Sequence, residues 1–181
     1  MSSGRLIAVV GPSGVGKDSV MAGIREAAPR VHLVRRVITR APGLGGESHD
    51  AVSVAAFHEM AENGAFALHW GAHGLHYGIP VTVKYQLRKG TDCLANLSRG
   101  ALAEAARVFP DLHVLSLTAA PEVLARRLSG RGRETTDDIA RRLARAEAPL
   151  PDGLPVTRIA NDGPLSETVA RALALLQPAR A

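Results

Sequence analysis

The chain has 181 residues, 46% hydrophobic and 22% charged, enough apolar material for a core of its own and too much for a disordered segment. The net charge of +5 comes almost wholly from arginine, since the only lysines are Lys17, Lys84 and Lys89. No basic block interleaved with aromatics is present, so no nucleic-acid partner is expected, and scattered arginines suit small phosphorylated ligands better.

Leu6–Val10 (LIAVV) is an apolar run closed by Gly11, the pattern of a strand buried on both faces. It is too short for a signal peptide or a bilayer span. Together with the single cysteine, Cys93, this leads to the expectation of a cytoplasmic protein without a membrane partner.

A helix is expected over 19–28, stopped by Pro29, then a strand over 32–39 (HLVRRVIT) and a glycine-rich loop over 41–50. Ser53 can cap a helix that stops at Asn63-Gly64. A short strand at 66–70 leads into what reads as a glycine-punctuated loop, GAHGLHYG (71–78). Then follow a helix over 81–89, a strand over 92–97, a helix over 101–108 and a strand over 112–118. Pro121 suits the first turn of a helix over 122–128, and Thr135 with Asp138 forms a plausible capping box for a helix over 139–146. A turn-rich connector (149–155), a strand over 156–160 and a helix over 165–176 complete the chain. Strand–helix alternation at this spacing predicts an α/β fold, a parallel sheet with helices on both faces. One domain over 1–181 is expected, with an insertion at about 35–90 and a lid at about 129–138.

The stretch GPSGVGKDS, Gly11 to Ser19, nearly spells the phosphate-loop pattern G-x-x-x-x-G-K-[ST]. At this composition Gly-x4-Gly-Lys is expected by chance about 0.03 times in the chain, and here it follows a strand and opens a helix. Gly11, Gly14 and Gly16 let backbone N–H groups turn toward phosphate oxygens, and Lys17 can reach the β and γ phosphates of ATP. Asp18 stands where a magnesium-binding hydroxyl is usual. A carboxylate there suits Mg²⁺, directly or through water, so Asp18 is the expected metal ligand. The strand expected to end in a second acid ends in Asn96 instead. From these residues alone the reading is an ATP-dependent kinase of a small anionic acceptor.

The order of motifs resembles the guanylate kinase family over nearly the whole chain. It rests on GPSGVGK (11–17), ITR (38–40), HGLHYG (73–78), RGALAEAARVFPD (99–111), RRLSGRGRE (126–134) and AND (160–162). Two departures stand out. After Arg40 the second arginine and the tyrosine that help hold GMP are missing, and Asp-x-Asp before Gln-Gly becomes Ala95-Asn96-Leu97-Ser98-Arg99-Gly100. With GKDS, N-x-SR, RGRE and NDG, the chain resembles the ribose 1,5-bisphosphate phosphokinases, guanylate-kinase-like enzymes of phosphonate (carbon–phosphorus lyase) catabolism.

The resemblance implies ATP and Mg²⁺ as cofactors and transfer to ribose 1,5-bisphosphate, giving 5-phosphoribosyl 1-diphosphate. Gly11, Pro12, Ser13, Gly14, Val15, Gly16, Lys17, Asp18 and Ser19 would cradle ATP, with Asn161 near the adenine. Arg131 and Arg133, joined by Arg142 and Arg145, would close as a lid. Thr39 and Arg40, then Arg36, Arg99, Ser98 and Tyr77, would meet the phosphorylated sugar. His73 and His76 form an H-x-x-H without a third ligand in view, with His76 expected exposed; Glu47 and His49 could order the acceptor loop. The rival readings are a nucleoside monophosphate kinase and a binding module that has abandoned catalysis.

Overall fold

Leu6–Val10 is strand β1, and all five of its residues are buried. The computed structural model describes residues 2–43, 47–130, 135, 137–139, 141, 143 and 149–177. Four more strands join β1 in one sheet: β2 (His32–Leu33), β7 (Cys93–Asn96), β8 (Leu112–Thr118) and β9 (Val156–Ala160). Their order is β2-β7-β1-β8-β9, all parallel. Since the crossover from β7 to β8 passes over β1, a crevice opens at the carboxyl ends of these strands, where ligands of such sheets bind.

Alternation along the strands sorts two cores. Ile7, Val9, Leu94, Leu115, Leu117 and Ile159 face α1 (Lys17–Ala27), α5 (Pro121–Ser129) and α6 (Leu165–Leu176), through Val20, Ile24, Leu124, Val169 and Ala172. Leu6, Ala8, Val10, Cys93, Ala95 and Val114 face the other way, toward α3 (Thr82–Arg88) and α4 (Leu102–Val108), through Val83, Leu102 and Ala105. This is the expected α/β arrangement. Ser53 caps α2 (Val54–Glu62) by accepting the Ala56 N–H at 3.1 Å. The Thr135 and Asp138 side chains each accept the other's backbone N–H, as a capping box requires.

Two expectations fail. The 32–39 run is not one strand: after β2 the chain leaves the sheet, and β3 (Val37–Ile38) joins a second, four-stranded sheet. Its order is β4-β3-β6-β5, with β4 at Asp50–Ala51, β5 at Phe66–Ala72 and β6 at Leu75–Pro80. The supposed loop 71–78 is therefore an antiparallel hairpin. His73 and Gly74 make its two-residue turn, with φ of 52° and 73°. Two successive positive φ values match the right-handed twist of the arms, so this glycine marks a hairpin tip and not a loop.

Candidate active site

The phosphate loop joins the end of β1 to α1, which begins at Lys17, two residues earlier than the periodicity suggests. Gly16 has φ 94°, and a Cβ there would lie 2.9 Å from Asn161 Nδ2, so only glycine fits. The reason for that contact is structural. Asn161 Nδ2 donates to the Val15 carbonyl at 2.8 Å, and its Oδ1 accepts from the Thr168 hydroxyl at 2.6 Å. Arg127 adds bonds from Nη1 to the Val15 carbonyl (3.1 Å) and from Nη2 to the Asn161 carbonyl (2.8 Å). The side chain of Asn161, the residue expected near the adenine, is buried and braces the loop from below. Lys17 Nζ donates to the Gly11 carbonyl at 2.8 Å and the Pro12 carbonyl at 3.3 Å, lying across the loop's mouth. Ser13 and Ser19 are exposed.

Asp18 is half-buried beside α1's first turn. Burial, and then the Glu47 carboxylate, push its carboxyl above the ordinary value, while Lys17, Arg36 and Arg40 pull it back. These five charged groups therefore share one neighbourhood, although they come from the start of α1, the two flanks of β3 and the 41–50 segment. Glu47 is the hub. Arg36, 5% exposed, donates Nε to Glu47 Oε1 at 2.8 Å and pairs Nη2 with Oε2, and Asn96 Nδ2 donates to the same Oε2 at 3.3 Å. An acid is thus held against the strand end where Asn96 replaces one. Arg35, its neighbour, points outward to Asp50.

The rest of the acceptor side is a stack. The Arg36 guanidinium lies 4.9 Å from the Tyr77 ring centroid. Tyr77 stacks on Trp70 with centroids 5.4 Å apart and planes 10° apart. Trp70 Nε1 donates to Ser98 Oγ at 3.0 Å. Ser98 thus anchors the indole, and Thr39 Oγ1 accepts the His76 N–H at 2.9 Å, fastening β3 to β6. Both hydroxyls keep a proton to donate. The Nε of Arg40 is buried with no hydrogen-bond partner, and its carbonyl lies 3.1 Å from His49 Nε2. The other ring nitrogen, Nδ1, lies 3.1 Å from the Glu47 carbonyl. His49 is buried and straps the two ends of the 41–46 segment together. His76, expected exposed, is half-buried and stacks on Phe57 at 5.4 Å.

Arg131, Arg133, Arg142 and Arg145 lie outside the described residues. Among the described residues no group of three or more His, Cys, Asp or Glu could hold a metal. Magnesium retains several waters and takes phosphate oxygens, so one or two carboxylates suffice, and a repelled Asp18 beside Glu47 suits that donor set. Sequence reasoning missed Arg127 and Thr168. Arg127 stands inside the RRLSGRGRE motif and Thr168 in none, and the bracing role of both goes unmarked because they act on backbone or on Asn161.

A Ribose 1,5-bisphosphate phosphokinase PhnN of a Ruegeria species is 54% identical over 182 residues, covering 99% of this chain and 95% of that protein. The chain belongs to the ribose 1,5-bisphosphate phosphokinase family. The family's Agrobacterium fabrum protein is 45% identical, covering 95% of this chain and 96% of its own length. No family model matches the chain. Among solved structures, guanylate kinase from Anaplasma phagocytophilum superposes with a TM-score of 0.74 at 20% identity, covering 97% of this chain and 85% of that one. A gluconokinase from Sinorhizobium meliloti gives 0.56 at 20% identity, with 96% and 92% covered. These likenesses to solved structures show the fold alone.

Proposed function

We propose that this phosphokinase-family protein transfers the γ-phosphoryl group of ATP to the 1-phosphate of ribose 1,5-bisphosphate, giving ADP and 5-phospho-α-D-ribose 1-diphosphate in phosphonate breakdown. The observation that carries it is the character of the acceptor side. Arg36 and Arg40 lie close enough to act on the Asp18 carboxyl, while Trp70 stacks on Tyr77 and Tyr77 lies beneath Arg36. Charge for phosphate is abundant there, and the rings are already occupied, which favours a sugar phosphate over a base.

An oxygen of the acceptor's 1-phosphate attacks the γ-phosphorus, and the bond from γ-phosphorus to the bridging oxygen breaks to release ADP. The attacking oxygen is ionised at neutral pH, so no general base is needed; positioning and charge neutralisation are the protein's task. Lys17 stands at the mouth of the loop to hold the β and γ phosphates, and Arg40, whose Nε is buried without a hydrogen-bond partner, adds its charge to the same cluster. Magnesium, when bound, neutralises charge on the phosphates, and Asp18 would hold it. We place the reaction in the cytoplasm; among the described residues no helix is long and apolar enough to cross a membrane.

Phosphorus NMR of a reaction with ATP and ribose 1,5-bisphosphate tests this. A new sugar diphosphate appearing with ADP supports it. ATP binding that Lys17→Ala abolishes, with no diphosphate formed from this acceptor, contradicts the acceptor; no ATP binding at all contradicts the kinase reading.

A further inference from the structure

One row of residues crosses the five-stranded sheet from just past the end of β7 to the middle of β9. Leu97 N–H donates to the Val9 carbonyl, Val10 pairs with Ser116, and Ser116 pairs with Arg158. Alternation along β9 puts Arg158 on the same sheet face as Val156, the face covered by α3 and α4. Arg99 opens a 3₁₀ turn two residues beyond Leu97, and Ser116, small and buried, lies between the two arginines. Arg99 is half-buried, and its burial and then the nearby Arg158 guanidinium lower its pKa from the ordinary value.

Among the described residues four arginines find acids: Arg5 pairs with Asp92, Arg35 with Asp50, Arg36 with Glu47 and Arg107 with Glu104. Among the described residues neither Arg99 nor Arg158 has a carboxylate partner or donates a side-chain hydrogen bond. Two like charges brought together without a counter-charge, one of them partly desolvated, are relieved by an anion. Guanidinium forks match phosphate oxygens in particular. The location also fits a phosphate. Val10 runs directly into Gly11 of the phosphate loop, and Ser98, beside Arg99, anchors the Trp70–Tyr77–Arg36 stack.

We propose that Arg99 and Arg158 form the seat for the acceptor's non-reacting phosphate, the 5-phosphate of ribose 1,5-bisphosphate. The proposal rests on the acceptor reading above, and it makes the site bipartite. The reacting phosphate meets Lys17 and Arg40 at one end, and the second phosphate fixes the sugar's other end at this arginine pair.

The test compares ribose 1,5-bisphosphate with ribose 1-phosphate in wild type, Arg99→Ala and Arg158→Ala, using the inhibition constant of ribose 1-phosphate if it is not turned over. Loss of a charge-assisted contact should raise the KM of the bisphosphate about tenfold or more in each variant. The ATP KM and the constant for ribose 1-phosphate, which lacks the phosphate this seat takes, should keep their wild-type values. An unchanged bisphosphate KM in Arg158→Ala, or an equal loss for both sugars, overturns the proposal. If wild type does not turn over the bisphosphate, the acceptor reading has failed. The seat is then read by calorimetry with ribose 5-phosphate: weaker binding to Arg158→Ala supports it, and equal affinity overturns it.

Discussion

The two halves of the site are built from different materials. On the nucleotide side the backbone does the shaping. Gly14 and Gly16 take φ of 84° and 94°, and Asn161 and Arg127 hold the Val15 carbonyl from beneath. On the acceptor side charged side chains do it: Glu47 gathers Arg36 and Asn96, and His49 straps Glu47 to Arg40. Backbone shape is local in sequence and tolerates little change, whereas a charge cluster can be rebuilt by moving an acid from one segment to another. Such a move fits this chain, with Asn96 at the strand end and Glu47 held against it.

The contrast can be broken most forcefully at Arg36. Arg36→Ala takes from Glu47 its ion-pair partner while Asp18 stays close by, and the loss of a buried pair's partner should cost about 3 kcal/mol of stability. Denaturant unfolding measures it, and Arg36→Ala combined with Glu47→Gln should recover part of the loss. Asn161→Ala strips partners from the Val15 carbonyl and the Thr168 hydroxyl, at a cost of about 2 kcal/mol. Its kinetic mark should be a raised ATP KM with the acceptor KM little changed. If both rise alike, the halves are not separately supported.

His49→Ala should do the reverse, raising the acceptor KM roughly three- to tenfold, as one or two hydrogen bonds would, while sparing the ATP KM. His49→Gln can keep the bond to the Arg40 carbonyl and His49→Asn the bond to the Glu47 carbonyl, so comparing their kinetics shows which tether matters.

The smallest effect concerns pH. The Asp18 carboxyl is raised in the folded state, so protonation is favoured there, and stability falls as pH climbs from the unfolded value near 3.8 through the folded one. Asp18→Asn should therefore stabilise the protein at neutral pH without nucleotide, and the difference should vanish below about pH 3.8. Thermal melts across that range check it; a variant no more stable than wild type at pH 7 would contradict the charge crowding.

The fold was largely readable, because buried strands and amphipathic helices carry their periods in the sequence and the phosphate loop carries its spacing. The acceptor sheet was not. Val37–Ile38 and Leu75–Pro80 look like the end of one strand and a glycine-rich loop until the hairpin pairs them, and pairing is a long-range fact. In the site, Asp18 and Arg40 were visible as types out of place or in motif. The grip of Glu47 on Asn96, and of Asn161 on Val15, joins residues 49 and 146 positions apart, which no local pattern announces.

With its rings occupied and its arginines at hand, the acceptor side should take a base-free sugar bisphosphate. ADP release measured with ribose 1,5-bisphosphate and with GMP under identical ATP and Mg²⁺ compares kcat/KM for the two acceptors directly. The stacked and occupied Trp70 and Tyr77 predict a ratio of at least about a hundred in favour of the sugar, the loss expected where a site lacks partners for a base. Turnover of GMP equal to or better than that of the sugar would contradict the account.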